Sequence, residues 1–265
     1  MPKRLPSPLK SILVIAHSTF LECIRNRLLL VSVVFAAILA AVSVAAASVS
    51  YGSRARIIID VGLASTSIIG SLIGVALTIS SFSKEIRNRT AYTVVVRPIP
   101  RWAYILGKYL GLAFTMTTVI ILMHLATGVV VLSQGESIPI AFGASIWLNI
   151  IEIWLVVSIA LFFSSMATPV FAATYTGAII LAGNLSSDIL LFAKGAAEKG
   201  VTNTGIIELS YYIVPDLQNL SIRAQAANNL PAPDAFVLHG SLYGLSYTVM
   251  ALIGSMWLFS KRKTI

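Results

Sequence analysis

Six predominantly apolar stretches, each of about twenty residues or more, divide this chain at 28–49, 57–82, 104–132, 145–163, 169–191 and 239–259. At a rise of 1.5 Å per residue, a helix of that length crosses about 30 Å of hydrocarbon. In lipid the backbone has no water to bond to, so each stretch must close its hydrogen bonds within a helix. The 265 residues are 57% hydrophobic and 11% charged, where soluble domains carry about 25% charged residues. With mean hydropathy +0.88, such a chain has too little polar surface to cover itself in water. The expected fold is an all-α membrane protein with six transmembrane helices.

The charges set its orientation. Net charge is +9, carried by 19 Lys and Arg against 10 Asp and Glu. Basic residues beside apolar spans are accounted for by the positive-inside rule and by anionic headgroups, with no need for a nucleic-acid partner. Fourteen of the 19 lie before the first span, in the stretch 83–108 that leads from span two into span three, or after the sixth. The remaining five fall between spans one and two or between five and six. The richer side is expected to be cytoplasmic, which puts both termini inside. Six basic residues crowd into the proline-punctuated stretch 83–108 leading from span two into span three: Lys84, Arg87, Arg89, Arg97, Arg101 and Lys108.

Two segments outside the spans have structure of their own. Leu9, Ile12, Leu13, Ala16, Phe20 and Ile24 recur at spacings of three and four, with Ser11, Ser18, Glu22 and Arg25 opposite. That period predicts an amphipathic helix over 8–27, lying in the interface plane. Between spans five and six, 206–214 is strongly apolar, Pro215-Asp216 reads as a break, and 217–227 suits a second short helix. Both pieces are too short to span, so they are expected to be interfacial or re-entrant.

Few residues offer chemistry. Cys23 is the only cysteine, which excludes an intrachain disulfide and a cysteine-based zinc site. His17, His124 and His239 lie far apart and form no H-E-x-x-H pair. There is no G-x-S-x-G elbow. Gly107-Lys108 lacks both the upstream glycine and the following Ser or Thr of a phosphate-binding loop, so the chain shows no nucleotide cradle. Glu152 is the one acid deep in a span. A carboxylate there costs roughly 2.5 to 3.5 kcal/mol on insertion scales, so it should face a bundle interior or a cavity. It reads either as part of a substrate path or as a structural carboxyl bonded to a neighbouring helix. Asp60 and Asp188 fall near span ends and read as interfacial. Gly70-x-x-x-Gly74 and Gly107-x-x-x-Gly111 permit close helix contact. Trp102, Tyr104 and Tyr109 read as an aromatic belt.

In order and spacing, Glu85, Thr90, Val94 to Val96, Pro98, Arg101, Gly107 and Lys108 resemble the central motif of ABC-2-type ABC transporter membrane subunits. The amphipathic first helix, the six spans, the inner termini and the outer segment between spans five and six resemble that family too. The resemblance implies an exporting permease without an ATPase site or cofactor of its own, in the inner (plasma) membrane. ATP would be bound by a separate ABC ATPase subunit. A second permease copy, identical or related, would complete the membrane unit. By the same resemblance, 1–27 is a cytoplasmic tail with a connecting helix, and 28–265 is the six-span domain. Within that domain 83–103 is the coupling loop and 192–238 the outer loop. Glu85, Arg87, Arg89, Thr90, Pro98, Arg101, Gly107 and Lys108 then belong to the coupling region, with the coupling element over 85–96. A second contact would fall at the uncharged 164–169 turn. Glu152 is the candidate for the translocation path. The competing readings are an ATP-independent secondary transporter or channel and, further off, a multi-span membrane enzyme.

Overall fold

A computed structural model describes residues 8–25, 54–87, 100–186 and 214–261, together with isolated helical positions at 34, 37, 38, 41 and 45. The described residues form seven α-helices: α1 (Pro8–Ile24), α2 (Arg54–Arg87), α3 (Arg101–Ser133), α4 (Phe142–Met166), α5 (Pro169–Asn184), α6 (Arg223–Ala227) and α7 (Asp234–Lys261). One 3-10 turn, Gln218–Leu220, precedes α6. Four helices are long and apolar enough to cross a membrane: α2, α3, α4 and α7. The fifth expected span appears as the 16-residue α5, about 24 Å at 1.5 Å per residue. The first expected span lies outside the described residues, apart from its isolated helical positions. The expectation of helices alone is met among the described residues, four of whose helices are spans by length and composition; the first expected span and the end of the fifth, 187–191, lie outside the described residues.

Of the four long helices, α2, α4 and α7 run one way and α3 runs the other. Gly70 of α2 faces Ile120 of α3 and Ile153 of α4, and Gly74 faces Met116 and Val157. As numbers rise along α2 they fall along α3 and rise along α4. Gly240, Gly244 and Gly254 of α7 meet Leu148, Ile151 and Phe162 of α4 in turn, so α7 runs with α4. The ends of α2, α4 and α7 therefore share one side with the starts of α3 and α5. Lys84, Arg101 and Lys261 make that side basic. The glycine pair of α2 serves packing within the chain, since a Cβ at Gly70 would lie 2.6 Å from Ile120 Cδ1.

The centre of the bundle is α4. Apart from Ser145, Asn149 and Glu152 on one side, it is largely apolar round its circumference, and a helix apolar on most of its sides is one that others surround. Leu148, Ile151, Ile153, Leu155, Val156, Val157, Ala160 and Leu161 are fully buried. Trp154 ties α4 to α3 by donating Nε1–H to Thr117 Oγ1 at 2.9 Å. Trp147 ties it to α7 through Ser241 Oγ, also at 2.9 Å.

At the basic end, α1 lies along α3, and the expected helix over 8–27 is observed over Pro8–Ile24. Ser11, Ile12, Thr19 and Cys23 are buried, whereas Leu9, Leu13, Val14, Leu21 and Ile24 are exposed. Ile12 and the small Ser11, Thr19 and Cys23 face the protein, while most of the other large apolar residues face out. In water that would be inverted; against hydrocarbon it is the expected sense, because small residues let backbones approach closely. Gly107 and Gly111 make this possible: a Cβ on Gly111 would fall 2.6 Å from Ala16 O and 2.6 Å from Thr19 Cβ. The aromatic belt needs correction. Trp102 is exposed, but Tyr104 and Tyr109 are buried, and Tyr104 stacks on Phe259 at 5.6 Å.

Candidate functional site

Ten residues into α4, about 15 Å along its axis, Glu152 turns toward α2. Ser67 Oγ donates to its Oε1 at 2.6 Å. On its own helix, Asn149 stands one turn earlier and donates Nδ2–H to Oε2 at 3.0 Å. Residues three apart on a helix share a face, so Asn149 and Glu152 form a polar pair by spacing alone. Both carboxyl oxygens accept a hydrogen bond. The structural half of the sequence reading, a bond to a neighbouring helix, is present.

Glu152 also lines a cavity of about 360 Å³. Ser67 and Leu63 of α2, His124 of α3, and Ser145 and Asn149 of α4 form its walls. Residues 217–224 of the outer segment close over it. His124 is buried and donates Nδ1–H to Ile120 O at 2.9 Å; its ring edge meets Phe142 at 5.9 Å between centroids. His124 Nε2 and Asn149 Oδ1 are buried without a hydrogen-bond partner. Native interiors leave few such atoms unpaired, and those that occur call for an explanation.

The roof is held from several directions. Leu217, Leu220, Ile222, Ala226 and Ala227 are buried, which anchors two pieces too short to stand alone. Leu217 N–H bonds Gly183 O at 3.1 Å. Glycine is needed there, since a Cβ would come within 2.5 Å of Pro215 O. Asp216 N–H donates to Tyr243 Oη of α7 at 2.8 Å. The Asp216 carboxylate accepts from Gln218 N–H at 2.9 Å and from Asn219 Nδ2 at 3.2 Å. At the rim, Arg223 Nε meets Asp60 Oδ1 at 2.9 Å, joining the roof to α2. The expected break at Pro215-Asp216 is observed, and 217–227 forms a 3-10 turn and a five-residue helix rather than one helix. The apolar 206–213 piece and Asp188 lie outside the described residues.

A second group of expected site residues gathers at the basic end. Glu85 and Arg87 fall within α2, which runs unbroken five residues past the expected span end at Phe82. Arg89, Thr90 and Pro98 lie outside the described residues. Arg101 opens α3 and donates to Ser260 O of α7 at 2.9 Å. Gly107 packs on α1, its would-be Cβ 2.9 Å from Ile12 O. Lys108 is fully buried. Lys84 pairs with Glu22 of α1 at 3.2 Å. The ends of α1, α2, α3 and α7 are thus joined to one another. This group and the Glu152 cavity lie at different levels of the bundle.

Sequence reasoning passed over His124, Asn149 and Ser67. It tested His124 only against metal-ligand spacing, and no group of three or more His, Cys, Asp or Glu side chains able to hold a metal occurs among the described residues. The usable signal was simpler: a polar side chain inside an apolar span marks a functional site by default.

No characterised protein matches this chain closely enough to be called similar. Residues 55–214 match the family described as ABC-2 family transporter protein. That stretch, over half of the chain, takes in nearly all of α2, then α3 to α5, the basic segment and the walls of the Glu152 cavity, though not its roof. This multi-pass membrane protein belongs to the ABC-2 transporter family.

Proposed function

We propose that this chain is the membrane-spanning permease subunit of an ABC exporter, driven by ATP hydrolysis in a separate ATPase subunit. The observation that carries the reading is the knot at the basic end. A partner pressing on the segment after Arg87 meets the continuous end of α2, and through Lys84–Glu22 it meets α1. Through Gly107 and Gly111, α1 bears directly on α3. Family membership supports a partner of the ABC ATPase type. In this reading 1–27 is the tail and connecting helix, and 28–265 is a six-span domain. The coupling region is 83–103, with Glu85, Arg87, Arg89, Thr90, Pro98 and Arg101 at the contact. Gly107 and Lys108 relay it through α1 and α3. The termini face the cytoplasm, the membrane is the inner (plasma) membrane, and a second copy of the chain completes the pathway. ATP is bound by the partner alone.

Co-purification tests it. From native membranes the tagged chain should bring down a soluble ATPase, and the chain by itself should hydrolyse no ATP. Recovery of the chain alone, with full transport in vesicles lacking that ATPase, would replace this reading with a second one. That alternative, ATP-independent secondary transport, is favoured by one observation: polar groups from α2, α3 and α4 meet at a buried carboxylate.

A further inference from the structure

We infer that the Glu152 cavity is a binding site for the protonated amine of an amphiphilic organic cation. The inference deepens the permease reading and rests on it for the claim that the ligand is cargo.

The cavity floor is rich in acceptors and poor in donors. Ser67 Oγ–H is spent on Glu152, and Ser145 Oγ–H on Phe142 O at 2.7 Å. Asn149 directs its amide nitrogen at the carboxylate, since the reverse orientation would set oxygen against oxygen. Its Oδ1 is thereby left over. The neutral His124 ring, having donated Nδ1–H to Ile120 O, carries a lone pair on Nε2 that also lacks a partner. What remains unspent is two carboxylate oxygens able to accept again, one amide oxygen and one imidazole nitrogen. Against these, the walls around Glu152 offer a single remaining N–H of Asn149, and the other donors of the lining, on Asn184, Gln218, Ser221 and Arg223, belong to the roof and rim. Only Arg223 among the lining side chains is cationic, and its Nε is directed to Asp60 at the rim. A ligand complementary to this floor carries positive charge and several N–H donors on one compact group. An ammonium does both.

Size and surroundings select an organic cation over a bare ion. About 360 Å³ is roughly twelve times the 30 Å³ share of one liquid water, and it falls in the range of small-molecule sites. An apolar hollow of about 800 Å³ adjoins it between α2 and α5, sharing Ile68 and Asn184 as walls. Leu72, Val75, Ile79 and Leu181 line that hollow. A charged head against Glu152 and a hydrocarbon body in the hollow would satisfy both surfaces at once.

The test uses the full chain in lipid nanodiscs with dansylcadaverine, a primary amine on a fluorescent apolar body. Its N-acetyl derivative, which lacks the charge, is the control, and protein-free nanodiscs set the baseline. The amine should bind at least about tenfold more tightly than the acetylated probe, as expected for charge-assisted hydrogen bonds. Glu152→Gln, of nearly the same shape, should abolish that preference while the acetylated probe binds as before. Ser67→Ala leaves the carboxylate in place and should retain most of the preference, which guards against a Glu152→Gln variant that misfolds. Equal binding of the two probes, or an undiminished preference in Glu152→Gln, would overturn the inference and leave the permease reading standing. Selective binding with ATP-driven amine transport unchanged in Glu152→Gln would overturn the cargo claim.

Discussion

Two glycines of similar spacing separate packing from tolerance at the residue scale. A Cβ on Gly111 would strike the backbone oxygen of Ala16 at 2.6 Å, and backbone cannot swing aside. A Cβ on Gly74 would meet only side-chain methyls at 3.6 Å and beyond, which is ordinary contact. Gly111→Ala should therefore destabilise the protein by about 1–3 kcal/mol, the usual cost of overpacking. Gly74→Ala should lie within about 0.5 kcal/mol of the parent, or gain slightly from helix propensity. Thermal unfolding of both variants in one detergent distinguishes them. A comparable loss at both positions would mean that α1 is not seated on α3 as described. The Arg223–Asp60 pair is about half exposed on each side, and such pairs contribute about 0–1 kcal/mol. Arg223→Ala should thus shift stability by no more than that, measured in the same way.

The helical elements were legible because each is long and periodic, and their ends were less so. Phe82 looked like a span end because Ser83 and Lys84 follow it. The backbone nevertheless stays helical to Arg87, since a helix leaving the bilayer loses only its lipid contacts and not its hydrogen bonds. Glu85 therefore sits on a rigid continuation of α2. Glu85→Lys should lower transport-coupled ATPase activity several-fold while leaving membrane insertion and expression unchanged. Unaltered coupling in the reconstituted complex would remove this end of α2 from the docking surface. Sequence reading found α1 as an amphipathic helix, but not which of its residues seat on α3, because that depends on where Gly107 and Gly111 fall on another helix. Glu152 was legible as a lone acid. Its partners were not, because the approach of α2 and α3 to α4 depends on where small residues fall across three helices. The short outer pieces could be read as non-spanning, but the amino-acid order does not reveal that they roof a cavity.

At the scale of the whole molecule, the shared direction of α2, α4 and α7 against α3 makes a topological prediction. Lys263→Cys should react with a membrane-impermeant maleimide only after the cells are opened, and Asn228→Cys should react in intact cells. Native Cys23 is buried and should give little background. Labelling of position 263 from outside would reverse the orientation and remove the basic end from the reach of any cytoplasmic motor. One helix spans both ends of this arrangement. α7 is 28 residues long, about 42 Å. Ser260 near its end receives Arg101, and Tyr243, two turns or so from its start, receives the backbone of Asp216. It is a tie rod: a nudge at the threshold of α3 tugs on the far ceiling without any rearrangement of the packed interior between them.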